Sequence, residues 1–199
     1  MPDTEPSGSE TVTPSGRNTR RRARSGRSKS GRGSSSRHPA TFAALDLGTN
    51  NCRLLVAREQ AEGFRIVDSY SRVVRLGHGL ASTGQLSQES MAAAVDAIGV
   101  CAKKMKARHV KRWRCVATEA CRKASNGDEF LARVKSETGI SLEVISPRVE
   151  ARLAVMGCLN LVDATKDVAL VIDIGGGSTE VSWVDVRKLR EDGDHRVHL

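Results

Sequence analysis

From residue 41 onward, the spacing of apolar residues predicts an alternation of strands and helices. Short apolar runs rich in β-branched residues predict strands. These runs are Phe42–Leu47, Arg53–Ala57, one or two strands within Phe64–Leu76, Trp113–Ala117, Leu142–Ile145, and a pair of strands within Val168–Val186. Apolar positions three and four residues apart predict helices over Gln88–Arg108, Asp128–Thr138 and Pro147–Leu159. Three strands in a meander followed by alternating helix and strand indicate an α/β lobe with a mixed sheet and flanking helices.

The first 40 residues show no such periodicity. They are rich in Ser, Gly, Arg, Pro and Thr, and they carry nine Lys or Arg residues against three acidic residues. A segment of this composition cannot bury enough apolar surface to offset the entropy of ordering, so we expect residues 1–40 to be disordered. Much of the net charge of +9 lies here. The basic tail is therefore predicted to be a solvated extension. The alternative is a functional role, in which the tail attracts polyanions weakly and in a salt-sensitive way.

A glycine-rich turn divides the predicted strand pair within Val168–Val186. The first strand ends in Asp173, and Gly175, Gly176, Gly177 and Ser178 follow shortly after it. Glycines have no Cβ atom, so several backbone N–H groups can converge on one anion. An aspartate beside that anion can hold a divalent cation, directly or through water. The turn therefore predicts a phosphate and metal site, and a simple hairpin turn with a carboxylate cap is the alternative.

A second turn of the same kind follows the first predicted strand. Asp46 is followed by Gly48, Thr49 and Asn50 before the next strand resumes. One such turn is weak evidence because Asp-x-Gly-Thr is common in turns. Two of them, 127 positions apart, indicate paired phosphate loops that face each other across a cleft.

The number and spacing of the cysteines and the length of the apolar runs narrow the class of protein. The five cysteines are odd in number and scattered, with no Cys-x-x-Cys pair, which is typical of a reducing compartment rather than of a disulfide framework or zinc site. No apolar run approaches the roughly 20 residues that a membrane-spanning helix needs. We therefore expect a cytoplasmic protein that does not enter the membrane.

Taken together, five segments resemble the Ppx/GppA phosphatases, the exopolyphosphatases and guanosine pentaphosphate phosphohydrolases of the actin-like ATPase superfold. The segments are Ala44–Asn50, Arg75–Leu80, Ala117–Asn126, Val144–Leu153 and Asp173–Glu180. The last segment is the most specific. Two positions depart from the family pattern around the expected catalytic glutamate, where Pro147 replaces a glycine and Val149 replaces a first glutamate.

The resemblance implies a ribonuclease-H-like first lobe over residues 41–163 and the start of a second lobe over residues 164–199, which is truncated. It also implies hydrolysis of terminal phosphate from polyphosphate or guanosine pentaphosphate, assisted by Mg²⁺. Glu150 is the expected general base. Asp173 and Asp46 are expected to position Mg²⁺. The expected phosphate-binding residues are Gly48, Thr49, Asn50, Arg122, Gly175, Gly176, Gly177 and Ser178.

Other interpretations remain open at this point. Glu150 in the first turn of a helix also fits a carboxylate that only complements the helix dipole, and Glu119 is the next candidate for the base. An ATP-dependent kinase of the same superfold uses similar loops, and a non-catalytic phosphate-binding module would need only one lobe.

An isolated hairpin is marginal in water. We therefore expect Val171, Val181 and Trp183 to leave an apolar patch that favours association, for example as a homodimer.

Deleting residues 1–40 should leave the thermal unfolding midpoint of the remaining chain unchanged, because the tail has no apolar periodicity with which to pack. Differential scanning calorimetry of the full and shortened chains measures this directly. A loss of several degrees on deletion would show that the tail contributes to the fold.

Overall fold

The computed structural model describes residues 39–61 and 63–191. Apart from its last two residues, the predicted tail lies outside this part of the chain. In the described part, no helix is long and apolar enough to cross a membrane.

A five-stranded mixed sheet, the main sheet, forms the centre of the fold. Its strands are β1 (Thr41–Leu47), β2 (Asn51–Glu59), β3 (Phe64–Val73), β4 (Arg112–Ala117) and β5 (Glu143–Val144). The spatial order is β3-β2-β1-β4-β5, with β1, β2 and β3 antiparallel and β4 parallel to both β1 and β5. The predicted α/β fold with a mixed sheet is therefore confirmed. The segment Phe64–Leu76 forms one strand rather than two, and β5 is shorter than predicted.

Six α-helices accompany the strands in the described residues: α1 (Leu80–Thr83), α2 (Gln88–Ala107), α3 (Glu119–Lys123), α4 (Gly127–Thr138), α5 (Pro147–Cys158) and α6 (Val186–Glu191). The three long helices were predicted, and serine caps explain where two of them begin. The Ser87 hydroxyl accepts a hydrogen bond from the Ser90 N–H at 3.1 Å, and the Ser146 hydroxyl accepts one from the Val149 N–H at 3.3 Å. The short helices α1, α3 and α6 were not predicted, because four to six residues are too few to show a helical period.

The hydrophobic core lies between one face of the main sheet and the helices α2 and α4. Alternate residues of β1 and β2 point into it, including Leu45, Leu47, Leu54 and Val56. Phe130 on α4 is the largest of the fully buried side chains. The opposite face of the sheet carries Asp46 and other exposed residues. The core therefore fixes the position of the strand ends and leaves the face with Asp46 free.

The last two strands, β6 (Val168–Ile174) and β7 (Thr179–Asp185), pair antiparallel as a separate second sheet. One face of this sheet packs on α5 around Val155 and Val184, with Val171 partly buried against them. The opposite face is apolar and exposed, and its large residues are Leu170, Ile172, Ile174, Val181 and Trp183. The predicted apolar patch is present at Val181 and Trp183, but its inclusion of Val171 was wrong, since alternation along β6 turns that residue towards α5.

Replacing Phe130 with alanine should lower the free energy of unfolding by about 3–5 kcal/mol, because a fully buried aromatic side chain leaves a cavity. Phe64→Ala is the matched control, since Phe64 is 63% exposed and should cost much less. Urea denaturation followed by circular dichroism measures both values. Equal losses in the two variants would contradict this placement of the core.

Candidate active site

Two turns and a helix meet at one end of the main sheet. Because β1 and β4 run parallel, Asp46 near the end of β1 and Thr118 just after β4 lie at the same sheet edge. The turn between β6 and β7 lies against this edge and encloses a cavity of about 180 Å³. The cavity is lined by Asp46, Gly48, Thr49, Asn50, Asn51, Arg53, Thr118, Glu150, Asp173, Ile174, Gly175, Gly176, Gly177 and Ser178.

Backbone hydrogen bonds fix the shape of both turns. The Gly48 N–H donates to the Asn51 carbonyl at 2.9 Å, and the Gly175 N–H donates to the Ser178 carbonyl at 2.9 Å. The Asn50 carbonyl accepts from both Val74 and Arg75, which anchors the first turn to the end of β3. The predicted donors Gly48 and Gly175 are therefore used inside the turns themselves.

The donors that remain for a ligand lie at the next positions of each turn. Within the described part of the chain, the N–H groups of Thr49, Asn50, Gly176 and Gly177 donate to no backbone acceptor. All four residues line the cavity. Successive free N–H groups in turns form the concave sites in which proteins bind anions, so both turns are suited to phosphate.

The two turns touch each other where only glycine fits. A Cβ atom at Gly177 would lie 2.8 Å from the Thr49 hydroxyl oxygen, and one at Gly176 would lie 3.0 Å from the Asn50 Cβ. A Cβ atom at Gly77 would overlap the Thr49 methyl group from the other side. The glycines therefore allow the second turn to approach the first closely enough to share one cavity.

Carboxylates crowd the floor of the cavity. Asp46 keeps part of its surface exposed, but desolvation by the surrounding atoms raises its pKa, and the Asp173 charge raises it further, while Arg53 opposes both. Asp173 also lies directly opposite Glu180 in the β6–β7 ladder, a pairing of like charges that is unfavourable without a cation. Among the described residues, no three Asp, Glu, His or Cys side chains converge to hold a metal by themselves. The arrangement fits Mg²⁺, which keeps several waters and takes one or two carboxylates together with substrate phosphates.

Glu150 projects into the same cavity from the first turn of α5. Its carboxylate accepts a hydrogen bond from the Arg122 guanidinium at 3.0 Å, and both side chains are mostly buried. Burial raises the pKa of Glu150, and the charges of Glu180 and Asp46 add to this, while Arg122 lowers it. A carboxyl group with a raised pKa beside turns that are suited to phosphate has the character of a general base.

The structure thus gathers all but one of the predicted site residues around one cavity. The exception is Arg122, which does not line the cavity. Its guanidinium also donates to the Ile145 carbonyl at 2.6 Å, so its contacts hold Glu150 in place rather than face the phosphate turns.

Four further residues at the site were not singled out from the sequence: Asn51 and Ile174, which adjoin predicted turn residues, and Arg53 and Thr118. Arg53 lines the cavity because it is the register partner of Asp46 across β1 and β2, and the predicted hairpin was the signal that could have found it. Thr118 lines the cavity where β4 ends. The sequence feature that could have found Thr118 was its position directly after a predicted strand, which the structure shows to run parallel to β1.

Glu119, the alternative candidate for the base, does not line the cavity. It is buried, and its carboxylate accepts hydrogen bonds from Lys123 and from the Ser178 hydroxyl, which lower its pKa. A carboxylate held ionised by two donors is a weak proton acceptor. Glu119 therefore supports the second turn from outside the cavity, a contact that no sequence pattern indicates.

Replacing Arg122 with methionine should raise the pKa of Glu150 further, because the guanidinium is what lowers it. An NMR titration of the side-chain carboxyl carbon measures this shift. Arg114→Met is the matched control, since Arg114 pairs with Glu143 and should leave the Glu150 titration unchanged. An unchanged pKa in Arg122→Met would show that the pair does not hold Glu150 as its contacts indicate.

Solved structures share this fold. The Ppx/GppA family member of Aquifex aeolicus is 30% identical, with a TM-score of 0.68 over 80% of this chain and 49% of that chain. An exopolyphosphatase from Cytophaga hutchinsonii is 25% identical, with a TM-score of 0.67 over 76% of this chain and 53% of that chain. This chain therefore spans about half the length of these solved relatives.

A curated relative and a family model agree with the structures. The guanosine-5'-triphosphate,3'-diphosphate pyrophosphatase of Photobacterium profundum is 36% identical over 140 residues, which are 70% of this chain and 28% of that protein. The model of the Ppx/GppA phosphatase family matches residues 55–192, which include Glu150 and the second glycine turn. The chain belongs to the Ppx/GppA phosphatase family.

Proposed function

We propose that this chain carries the catalytic centre of a phosphoanhydride hydrolase that releases terminal phosphate from guanosine pentaphosphate or polyphosphate with Mg²⁺. The observation that carries the proposal is the shared cavity. This cavity is lined by two phosphate-type turns, by the carboxylates Asp46 and Asp173, and by the carboxyl group of Glu150. Phosphoryl transfer needs charge neutralisation, an aligned water and a group to orient that water, and the lining residues offer each of these.

Substrate binding falls to the two turns. The free N–H groups of Thr49, Asn50, Gly176 and Gly177 would bind oxygens of successive phosphates. Because the turns are held by their own hydrogen bonds, their donors are already oriented before substrate binds.

Charge at the site would be balanced by a metal ion and an arginine. Asp46 and Asp173 would hold Mg²⁺ through water, and that ion would supply neutralisation of phosphate charge. Arg53 adds a positive charge at the cavity wall. Arg53 lies beside the turns that would bind the phosphates, and Asp46 and Asp173 would hold the metal ion there as well.

Glu150 would accept the proton of the attacking water. Its raised pKa suits this role, since a general base works best with a pKa near the operating pH. Arg122 and the mostly buried setting orient the carboxylate towards the cavity. The proton leaves the water as its oxygen bonds to the terminal phosphorus, and the shortened phosphate chain departs with the bridging oxygen.

Two features make guanosine pentaphosphate the first substrate to test. The curated relative is named for that substrate class. A second pocket of about 370 Å³ shares Asp46, Glu150 and Asp173 with the cavity, and its remaining wall is largely apolar, with Ala44, Val116, Leu153 and Ala154. Apolar walls beside a phosphate site suit a nucleoside rather than a bare phosphate chain.

The described second sheet has only two strands, with one apolar face exposed. Asp173 lies on this sheet, and a fraction of an ångström in its position matters for phosphoryl transfer. We therefore expect the 199-residue chain alone to bind polyphosphate weakly and to hydrolyse it poorly. Binding without turnover in a protein that has a complete second lobe would instead support a non-catalytic phosphate-binding module.

The test is phosphate release from guanosine pentaphosphate and from long-chain polyphosphate, by the chain alone and by the chain extended through a complete second lobe. In the extended protein, Glu150→Gln should lower turnover by roughly 10²–10⁴-fold while substrate binding is largely kept. Glu143→Gln is the matched control, because Glu143 is exposed, pairs with Arg114 and does not line the cavity. Turnover by Glu150→Gln within a few-fold of the parent would refute the assignment of the base.

A further inference from the structure

A second large cavity lies away from the phosphate turns, at the other end of β4. Its volume is about 550 Å³, and it lies where the carboxyl ends of α2 and α4 meet the start of β4. Since β4 runs from this cavity to Thr118 at the phosphate site, the two sites occupy opposite ends of the same strand. We refer to the cavity of about 550 Å³ as the basic groove.

The charged side chains that line the basic groove are all basic. Its lining includes Lys103, Lys106, Lys111 and His109 but no acidic residue. The ion pairs of the described residues do not involve these three lysines. A helix carboxyl end carries about half a negative charge, so three lysine charges outweigh the two helix ends. The groove is therefore complementary to an anion.

The floor and wall of the groove are suited to more than phosphate. Met105, Val110 and Ile140 form an apolar floor, and Trp113 presents an indole that is 55% exposed. An inorganic phosphate chain gains nothing from an exposed indole or from an apolar floor. A planar aromatic base gains from both, through stacking and burial.

The end of helix α2 places His109 at the groove. Helix α2 ends in a Schellman motif, in which the Val110 N–H donates to the Met105 carbonyl at 3.1 Å and the His109 N–H donates to the Lys106 carbonyl at 3.0 Å. His109 occupies the left-handed position of this motif, with φ of 52°. Glycine is the usual residue there, because a side chain is strained in that conformation. In this position the His109 side chain lines the groove.

We propose that the basic groove binds a nucleoside phosphate, with the base stacked on Trp113 and the phosphates held by Lys103, Lys106 and Lys111. This site is separate from the catalytic cavity, and the proposal does not depend on the hydrolase activity. His109 contributes a further hydrogen-bonding group beside the phosphates.

Fluorescence of Trp113 gives a direct test. The sequence has two tryptophans, so Trp183→Phe leaves Trp113 as the sole indole of the 199-residue chain. GTP should quench this fluorescence saturably, and inorganic tripolyphosphate and guanosine should each bind at least about tenfold more weakly, since each lacks one half of the recognised group. Gly177→Ala, which crowds the phosphate turns, should leave the quenching unchanged.

Calorimetric titration of GTP into variants locates the contacts. Trp113→Leu keeps apolar bulk but removes the stacking surface, and it should weaken the groove-site affinity about tenfold. The Lys103→Glu/Lys106→Glu double variant should weaken it at least as much. The Arg152→Glu/Lys188→Glu double variant changes the same number of charges at exposed positions elsewhere and should leave the affinity close to that of the parent. His109→Gly should keep or raise the thermal midpoint while weakening binding.

Three results would overturn the proposal. They are an absence of saturable quenching, tripolyphosphate binding as tight as GTP, and GTP affinity unchanged by Trp113→Leu or by reversal of the two lysines. Circular dichroism of each variant checks that the fold is retained, and the exposure of Trp113 makes this the expected result.

Discussion

The contact between Thr49 and two glycines is the constraint on which the site depends. The Thr49 side chain lies against Gly77 and Gly177, at distances that leave no room for a Cβ atom on either glycine. This contact joins the turn after β1, the segment after β3 and the turn between β6 and β7. Without it, Asp46 on the main sheet and Asp173 on the second sheet would not share a cavity. Side-chain volume, rather than any strong bond, therefore sets the width of the site.

The close approach has an electrostatic cost. It brings Asp46 towards Asp173, and the β-ladder pairs Asp173 with Glu180. Arg53 offsets part of this repulsion at Asp46, Arg122 does the same for Glu150, and desolvation opposes ionisation of Asp46 and Glu150. A site that stores unfavourable charge in this way is stabilised when a cation and a phosphate chain bind together. The same feature that weakens the ligand-free fold thus favours binding of the proposed substrate and metal ion.

The two sheets are stabilised differently, and this bears on how well each half of the site is held. The main sheet packs one face on α2 and α4 through a large aliphatic core. The second sheet has a small cluster around Val155 and Val184, and its other face is exposed. Asp46 and the first turn therefore lie on a rigid support, whereas Asp173 depends on α5 and on contact with Thr49. We expect the geometry of metal binding to be most sensitive to changes in the second sheet.

The sequence by itself determined the α/β pattern, the three long helices, and both glycine turns. These features are local, since periodicity, capping and glycine turns depend on neighbours a few residues apart. It did not determine that Arg122 would hold Glu150 from a distance of 28 positions, or that Glu119 would contact Ser178 of the second turn. Nor did it indicate that the lysines of α2 and Trp113 would line one groove. Those contacts join segments far apart in the chain, and only the packing of helices on the main sheet brings them together.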